Sequence, residues 1–154
     1  MLDEPVAVFG NHSAGSSDIL LEFFVPAGQL ARFLGGLRET LPKHPVDLLN
    51  VTLRHVQRDE DTFLRYADQP MHCAVLLFHQ PHTLEAEAAT ERAARAMIQI
   101  ALDCGGRHYL PYRLHATPEQ FRAAYPSAKA FFDLKRKHDP EELFQNEFYR
   151  RYSK

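Results

Sequence analysis

Apolar residues run almost without a break through Ile19-Leu20-Leu21-Glu22-Phe23-Phe24-Val25, and Pro26 closes the run. That length and ending predict a strand at about 19–25, either central with both faces covered or covered by a helix and a partner domain. From 27 to 41 the apolar positions become Leu30, Phe33, Leu34, Leu37 and Leu41, the face of an amphipathic helix. Gly35-Gly36 inside it costs roughly 1 kcal/mol per glycine relative to alanine, which predicts close backbone packing on a sheet. The stretch 46–56 alternates from Leu49: Leu49, Val51 and Leu53 on one side, Asn50, Thr52 and Arg54 on the other. This is a second strand. Gln57 to Asp61 reads as a charged turn, Phe63 to Ala67 as a brief strand or irregular chain, and 71–80 as a third strand. Thr83 then caps a helix reaching about Cys104, with Ala86, Ala89, Ala93, Met97 and Ile100 inward and Gly105 as its stop.

After Gly105-Gly106, the side chains of Arg107, His108, Tyr109, Tyr112, Arg113 and His115 fall within nine positions. Extended geometry sends Arg107 and Tyr109 to one face and His108 to the other, and Pro111 confines the segment to a sheet edge or end. So many cations and phenols beside a glycine pair mark a ligand-facing edge. Three short helical segments follow. Thr117-Pro118-Glu119-Gln120 opens one as a capping box with proline at the first helical position, and Asp139-Pro140-Glu141-Glu142 repeats that grammar. Residues 1–17 are a Gly/Ser-bearing linker or loop. The remaining order, strand-helix-strand-strand-helix-strand, is that of an α+β, ferredoxin-like split β-α-β-β-α-β fold: an antiparallel sheet with both helices on one face, plus short C-terminal helices. The other sheet face is either wet or meets something.

A chain of 154 residues is one domain by length. A net charge of −2 gives no basic footprint for nucleic acid or an anionic membrane surface. No apolar run approaches the ~20 residues of a membrane span, and Asp3 and Glu4 sit where a secretory signal would be basic. Cys73 and Cys104 form no CxxC pair, and the nine histidines show neither HxH nor HExxH spacing, so no metal site is expected. There is no GxSxG nucleophile motif, and neither glycine pair opens a helix as a phosphate cradle does. A cytoplasmic protein is the expectation.

Candidate chemistry gathers on the uncovered sheet face. Arg54 shares a strand side with Thr52 and Asn50, His79 closes the long third strand, and Tyr112 lies on the Gly-Gly-Arg segment. If these elements are neighbours, guanidinium, imidazole and phenol converge, a set suited to a hydroxylated or anionic small molecule. The alternative is a solvated polar face with Arg54 paired to Asp59 or Glu60.

Gly105-Gly106-Arg107, then Tyr125-Pro126, then Asp139-Pro140 through Phe144 and Asn146 resemble, in order and spacing, the end of the FAD-linked oxidases of the vanillyl-alcohol oxidase superfamily. The similarity is to the sugar-lactone and alditol oxidase branch. It covers about residues 18–152 and implies a cap-like C-terminal domain over 18–154, with the FAD-binding domain expected to precede it and to be absent here. The resemblance implies FAD as cofactor, held by a separate domain or chain, and a small polyol or sugar-like substrate. It assigns Arg54, Thr52 and Arg113 to substrate binding, Tyr112 and His79 to the reacting carbon, and Arg107 and Tyr109 to the cofactor side. Tyr112 stands where those relatives place a lysine near the flavin. The expectation is a substrate-binding cap of an oxidase acting on CH–OH groups, not catalytic alone. The alternative is a stand-alone small-molecule-binding or dimerising module without redox activity.

Overall fold

A computed structural model of the chain describes residues 13–154. The apolar run forms the strand β1 (Ser16–Pro26), which pairs antiparallel along its whole length with β3 (Met71–Pro81), from Ser16 opposite Pro81 to Pro26 opposite Met71. β2 (Asp47–Val56) pairs antiparallel with the far side of β3, and the short β4 (Arg107–His108) with the far side of β1. The sheet order β2-β3-β1-β4, with α1 (Leu30–Thr40) and α2 (Leu84–Asp103) on one face, is the ferredoxin-like α+β plan the sequence predicts. Of residues 1–17, read as linker, 1–12 lie outside the described residues, and Ser16 and Ser17 already belong to β1.

Alternation sorts β1. Ile19, Leu21, Phe23 and Val25 join Ala74, Leu76 and Phe78 of β3 in a core with Phe33 and Leu37 of α1 and Ala93, Ala94, Met97 and Ala101 of α2. The predicted caps hold: Thr83 Oγ1 accepts from Ala86 N at 3.1 Å, and Thr117 and Gln120 form the capping box of α3 (Pro118–Ala124). α3, α4 (Ala128–His138) and α5 (Glu147–Tyr152) close the end of the core through Phe121, Phe132, Tyr149 and Tyr152, with the Phe121 and Tyr152 rings stacked at 4.3 Å. Asp139 opens no helix, contrary to the repeated-grammar expectation. It follows α4, and its carboxylate accepts from Leu143 N and Phe144 N, making a turn in which Glu142 has φ 53°. Asn146 caps the next helix instead.

Two glycine positions are set by contact. Gly105 has φ 70°, and bonds from Gly105 N to Leu102 O and from Gly106 N to Ala101 O finish α2 as a Schellman turn. A Cβ on Gly106 would stand 2.3 Å from Phe24 O, so the helix end lies directly on β1. In α1, a Cβ on Gly36 would meet Ile100 Cγ2 at 2.7 Å, whereas Gly35 faces open space. The close neighbour is therefore α2, not the sheet.

The alternation of β2 predicts a buried side, and the strand has none. α1 and α2 do not reach over it, so Val51 and Leu53 remain 39% and 48% exposed. Leu49 is a bulge between the pairs Leu48–Phe78 and Asn50–Leu77. The second sheet face is also not wholly wet. Residues 57–70 fold over its β4 end, where Tyr66 and Ala67 close on Phe24, Met71, Cys73, Val75 and Tyr109. No helix among the described residues is long and apolar enough to cross a membrane.

Candidate functional site

The uncovered part of the second face is centred on Glu22, the single charged residue within the apolar run of β1. Glu22 lies opposite Val75 in the register, between Leu20 and Phe24 on its own strand face. Its carboxylate accepts from Tyr112 Oη at 2.7 Å on one oxygen and from Cys73 Sγ at 3.6 Å on the other. Arg54 is paired with Cys73 across β2 and β3, and its charge acts on both Cys73 and Tyr112. Thr52, opposite Val75, shares the face. Neither Asp59 nor Glu60 claims Arg54: among the described residues Asp59 bonds within its own turn and Glu60 pairs with Arg58.

Electrostatics assigns roles within this group. Burial, and then the Glu22 carboxylate, pushes the Tyr112 phenol up to about 12. The same two causes push the Cys73 thiol up to about 12. At neutral pH both are therefore protonated donors, and the acceptor of the group is Glu22. Tyr112 donates to that carboxylate through Oη. Sequence reading found Thr52, Arg54 and Tyr112 and missed Glu22. The available signal was a lone carboxylate interrupting the 19–25 run, which only a polar partner makes tolerable.

The other candidates lie elsewhere. His79 is on the same face, but six residues along β3 from Cys73, about 20 Å at the usual strand rise. Its Nδ1 meets Asp18 Oδ1 at 3.1 Å, and it borders a cleft of ≈ 520 Å³ with Asp47, Gln80 and Glu85. Arg113 turns to α2 and pairs with Glu87. Arg107 faces the predicted side, with its guanidinium fully engaged inside the protein: Nε to Ala124 O at 2.7 Å, Nη1 to Arg65 O at 3.3 Å and Nη2 to Asp68 Oδ2 at 2.5 Å. It fastens the covering segment to the end of α3. Tyr109 stacks edge-on with Phe24, Tyr66 and Tyr112, walling the group on the β4 side.

These residues do not fit a complete FAD site. The space a pyrophosphate cradle would need at Gly105-Gly106 is filled by the Phe24 carbonyl, and this pair ends a helix instead of opening one. The N-terminus of α2 carries Glu85 and Glu87 in its first turn, which repel phosphate. What the face can do is grip hydroxyl groups, through the Arg54 guanidinium, which has no ion pair among the described residues, a threonine hydroxyl and an oriented carboxylate.

No curated protein matches the chain. The family model of D-arabinono-1,4-lactone oxidase matches residues 2–152, which takes in β1 with Glu22, β2 with Arg54 and the Gly-Gly-Arg segment with Tyr112. A fold with one polar, partly uncovered sheet face and a match over nearly the whole chain lead to one conclusion: this chain belongs to the D-arabinono-1,4-lactone oxidase family, among the FAD-linked sugar-lactone oxidases.

Proposed function

We propose that residues 18–154 form the substrate-binding cap of an oxidase acting on the CH–OH groups of a sugar lactone, alditol or related polyol. The chain works with a FAD-binding domain or partner chain that covers the open sheet face. The observation that carries this reading is the clustering of Glu22, Arg54 and Tyr112, from three separate elements, on the part of the face that residues 57–70 leave uncovered. The redox chemistry rests with the flavin of the partner; this chain binds, orients and shields.

Arg54 holds the lactone or hydroxyl oxygens through two N–H donors, and Thr52 adds a third contact on the same strand face. Glu22 accepts the hydrogen bond of the hydroxyl that will lose its proton, while Tyr112 keeps that carboxylate in place. The wall of Tyr109, Tyr66 and Phe24 excludes water on the β4 side. His79, at the far end of β3, reaches only the distal end of an extended substrate.

The test is titration of the isotopically labelled chain with D-arabinono-1,4-lactone and with xylitol, followed by amide NMR. Shifts should centre on Glu22, Thr52, Arg54 and Tyr112. Arg54→Ala should weaken binding roughly 10- to 100-fold, the equivalent of a lost charge-assisted hydrogen bond of about 1.5–3 kcal/mol. Shifts confined to the cleft beside His79, or an Arg54→Ala protein that binds as well as the parent, overturn this assignment. The exposed Val51 and Leu53 of β2 support a second reading, a dimerising module without redox activity. It requires a lactone-insensitive dimer in sedimentation.

A further inference from the structure

β4 is only two residues long. After Tyr109 N donates to Glu22 O at 2.9 Å, the chain turns away from β1 at Pro111. The gap left between β1, α2 and residues 108–115 is a small cavity behind the Glu22–Tyr112 pair. Its polar lining is Glu22, His108, Tyr109, Tyr112, Arg113 and His115, over an apolar floor of Ala94 and Ile98. His108 and His115 are 8% and 5% exposed. Each keeps one buried ring nitrogen, Nδ1 and Nε2 respectively, without a hydrogen-bond partner among the described residues. Two unmatched imidazole nitrogens on residues that line one cavity favour an occupant, because a buried polar atom left unmatched costs about 1–3 kcal/mol. The space open to a water centre is ≈ 10 Å³, at the lower limit of roughly 10–15 Å³ for one water and too small for anything larger.

We propose that this cavity holds a single water molecule, and that the water and the two imidazoles carry protons between the Glu22–Tyr112 pair on the sheet face and the flank of α2. A proton on the Glu22 carboxylate passes to the water as the water gives one of its own to a ring nitrogen. The O–H bond at Glu22 breaks, an N–H bond forms on the imidazole, and the water is regenerated. The imidazolium then releases a proton on the α2 side, where Glu87 and Glu91 favour the cation and Arg95 and Arg113 oppose it. Burial lowers the proton affinity of both rings, His108 to about 4, so neither traps the proton it passes on. The path belongs to this chain. Its use as an exit, once a partner seals the sheet face, rests on the oxidase reading above.

The experiment uses the chain alone, with neither flavin nor substrate. Water-to-ring cross-relaxation and long-range ¹⁵N shifts are measured by NMR on the parent and on His115→Phe. The parent should show both rings neutral at pH 7 and a long-lived water in contact with both. His115→Phe should lose the water contact at His108 as well. The absence of a long-lived water at both rings of the parent, or water at one ring that survives His115→Phe, overturns the proposal. If His115→Phe does not fold, the parent spectra decide: a long-lived water in contact with both rings supports the proposal, and its absence overturns it. A failed lactone titration leaves this site untouched, and a dry cavity leaves the lactone assignment untouched, so the two failures are distinct.

Discussion

Glu22 stands in a strand whose inward neighbours Leu21 and Phe23 are core residues, and both its oxygens have donors. Its charge in turn holds Tyr112 protonated. Glu22→Gln removes that charge but not the burial, so the Tyr112 phenol should fall from about 12 yet stay above its ordinary 10. Ultraviolet titration of tyrosinate, with Tyr112→Phe as the blank, checks this. Thr52, Arg54 and Tyr112 were legible as polar positions beside a predicted sheet. Glu22 was not, because a single carboxylate barely alters the apolar signature of a strand. The distance of His79 from this group was not legible either: a shared face does not reveal how far along a long strand a residue sits. A second prediction concerns His108. Burial sets its folded value at about 4, below the ordinary 6.5, so the unfolded chain takes up the proton first. The contribution of this group is full above pH 6.5 and is lost as pH falls from 6.5 through 4, about 3 kcal/mol in all at 1.36 kcal/mol per unit. Urea midpoints at pH 7 and pH 4 should differ less in His108→Phe than in the parent.

Among the elements, the end of α2 is the most constrained. Gly106→Ala would drive a methyl group into the Phe24 carbonyl at 2.3 Å and should destabilise by about 3 kcal/mol, the upper end of ordinary overpacking. Gly35→Ala, in open space within α1, should instead stabilise by up to about 1 kcal/mol. Urea denaturation of the two variants tests the pair. Strand and helix order were legible because the short unbroken apolar run of β1, closed by Pro26, contrasts with the helical spacing of apolar residues over α1 and α2. The exposure of β2 was not, since alternation says which residues share a side and nothing about whether a helix reaches that side. The turn at Asp139 escaped because Asp-Pro-Glu-Glu is equally good helix-start grammar; the captured amides of Leu143 and Phe144 decide otherwise.

At the scale of the molecule, the sheet has one packed face and one face that is half covered and half polar. The cover is tied down by Arg107, whose fork reaches Arg65 O, Asp68 and Ala124 O together, and by Ser127 Oγ donating to Phe63 O. Lysine has a single nitrogen and cannot meet three acceptors so placed. Arg107→Lys should therefore leave β1 and β3 as protected as before while amide hydrogen exchange across residues 57–68 speeds up. Mass-spectrometric exchange reads both regions in one experiment.

That one guanidinium has a mechanical consequence. It rivets a flap on the sheet face to a helix at the opposite end of the sequence, through a rigid plane with no slack. The end of α3 and the segment over Phe24 and Cys73 therefore share one anchor. A substitution that shifts the end of α3 should thus also speed amide exchange in residues 65–68, through a link one side chain long.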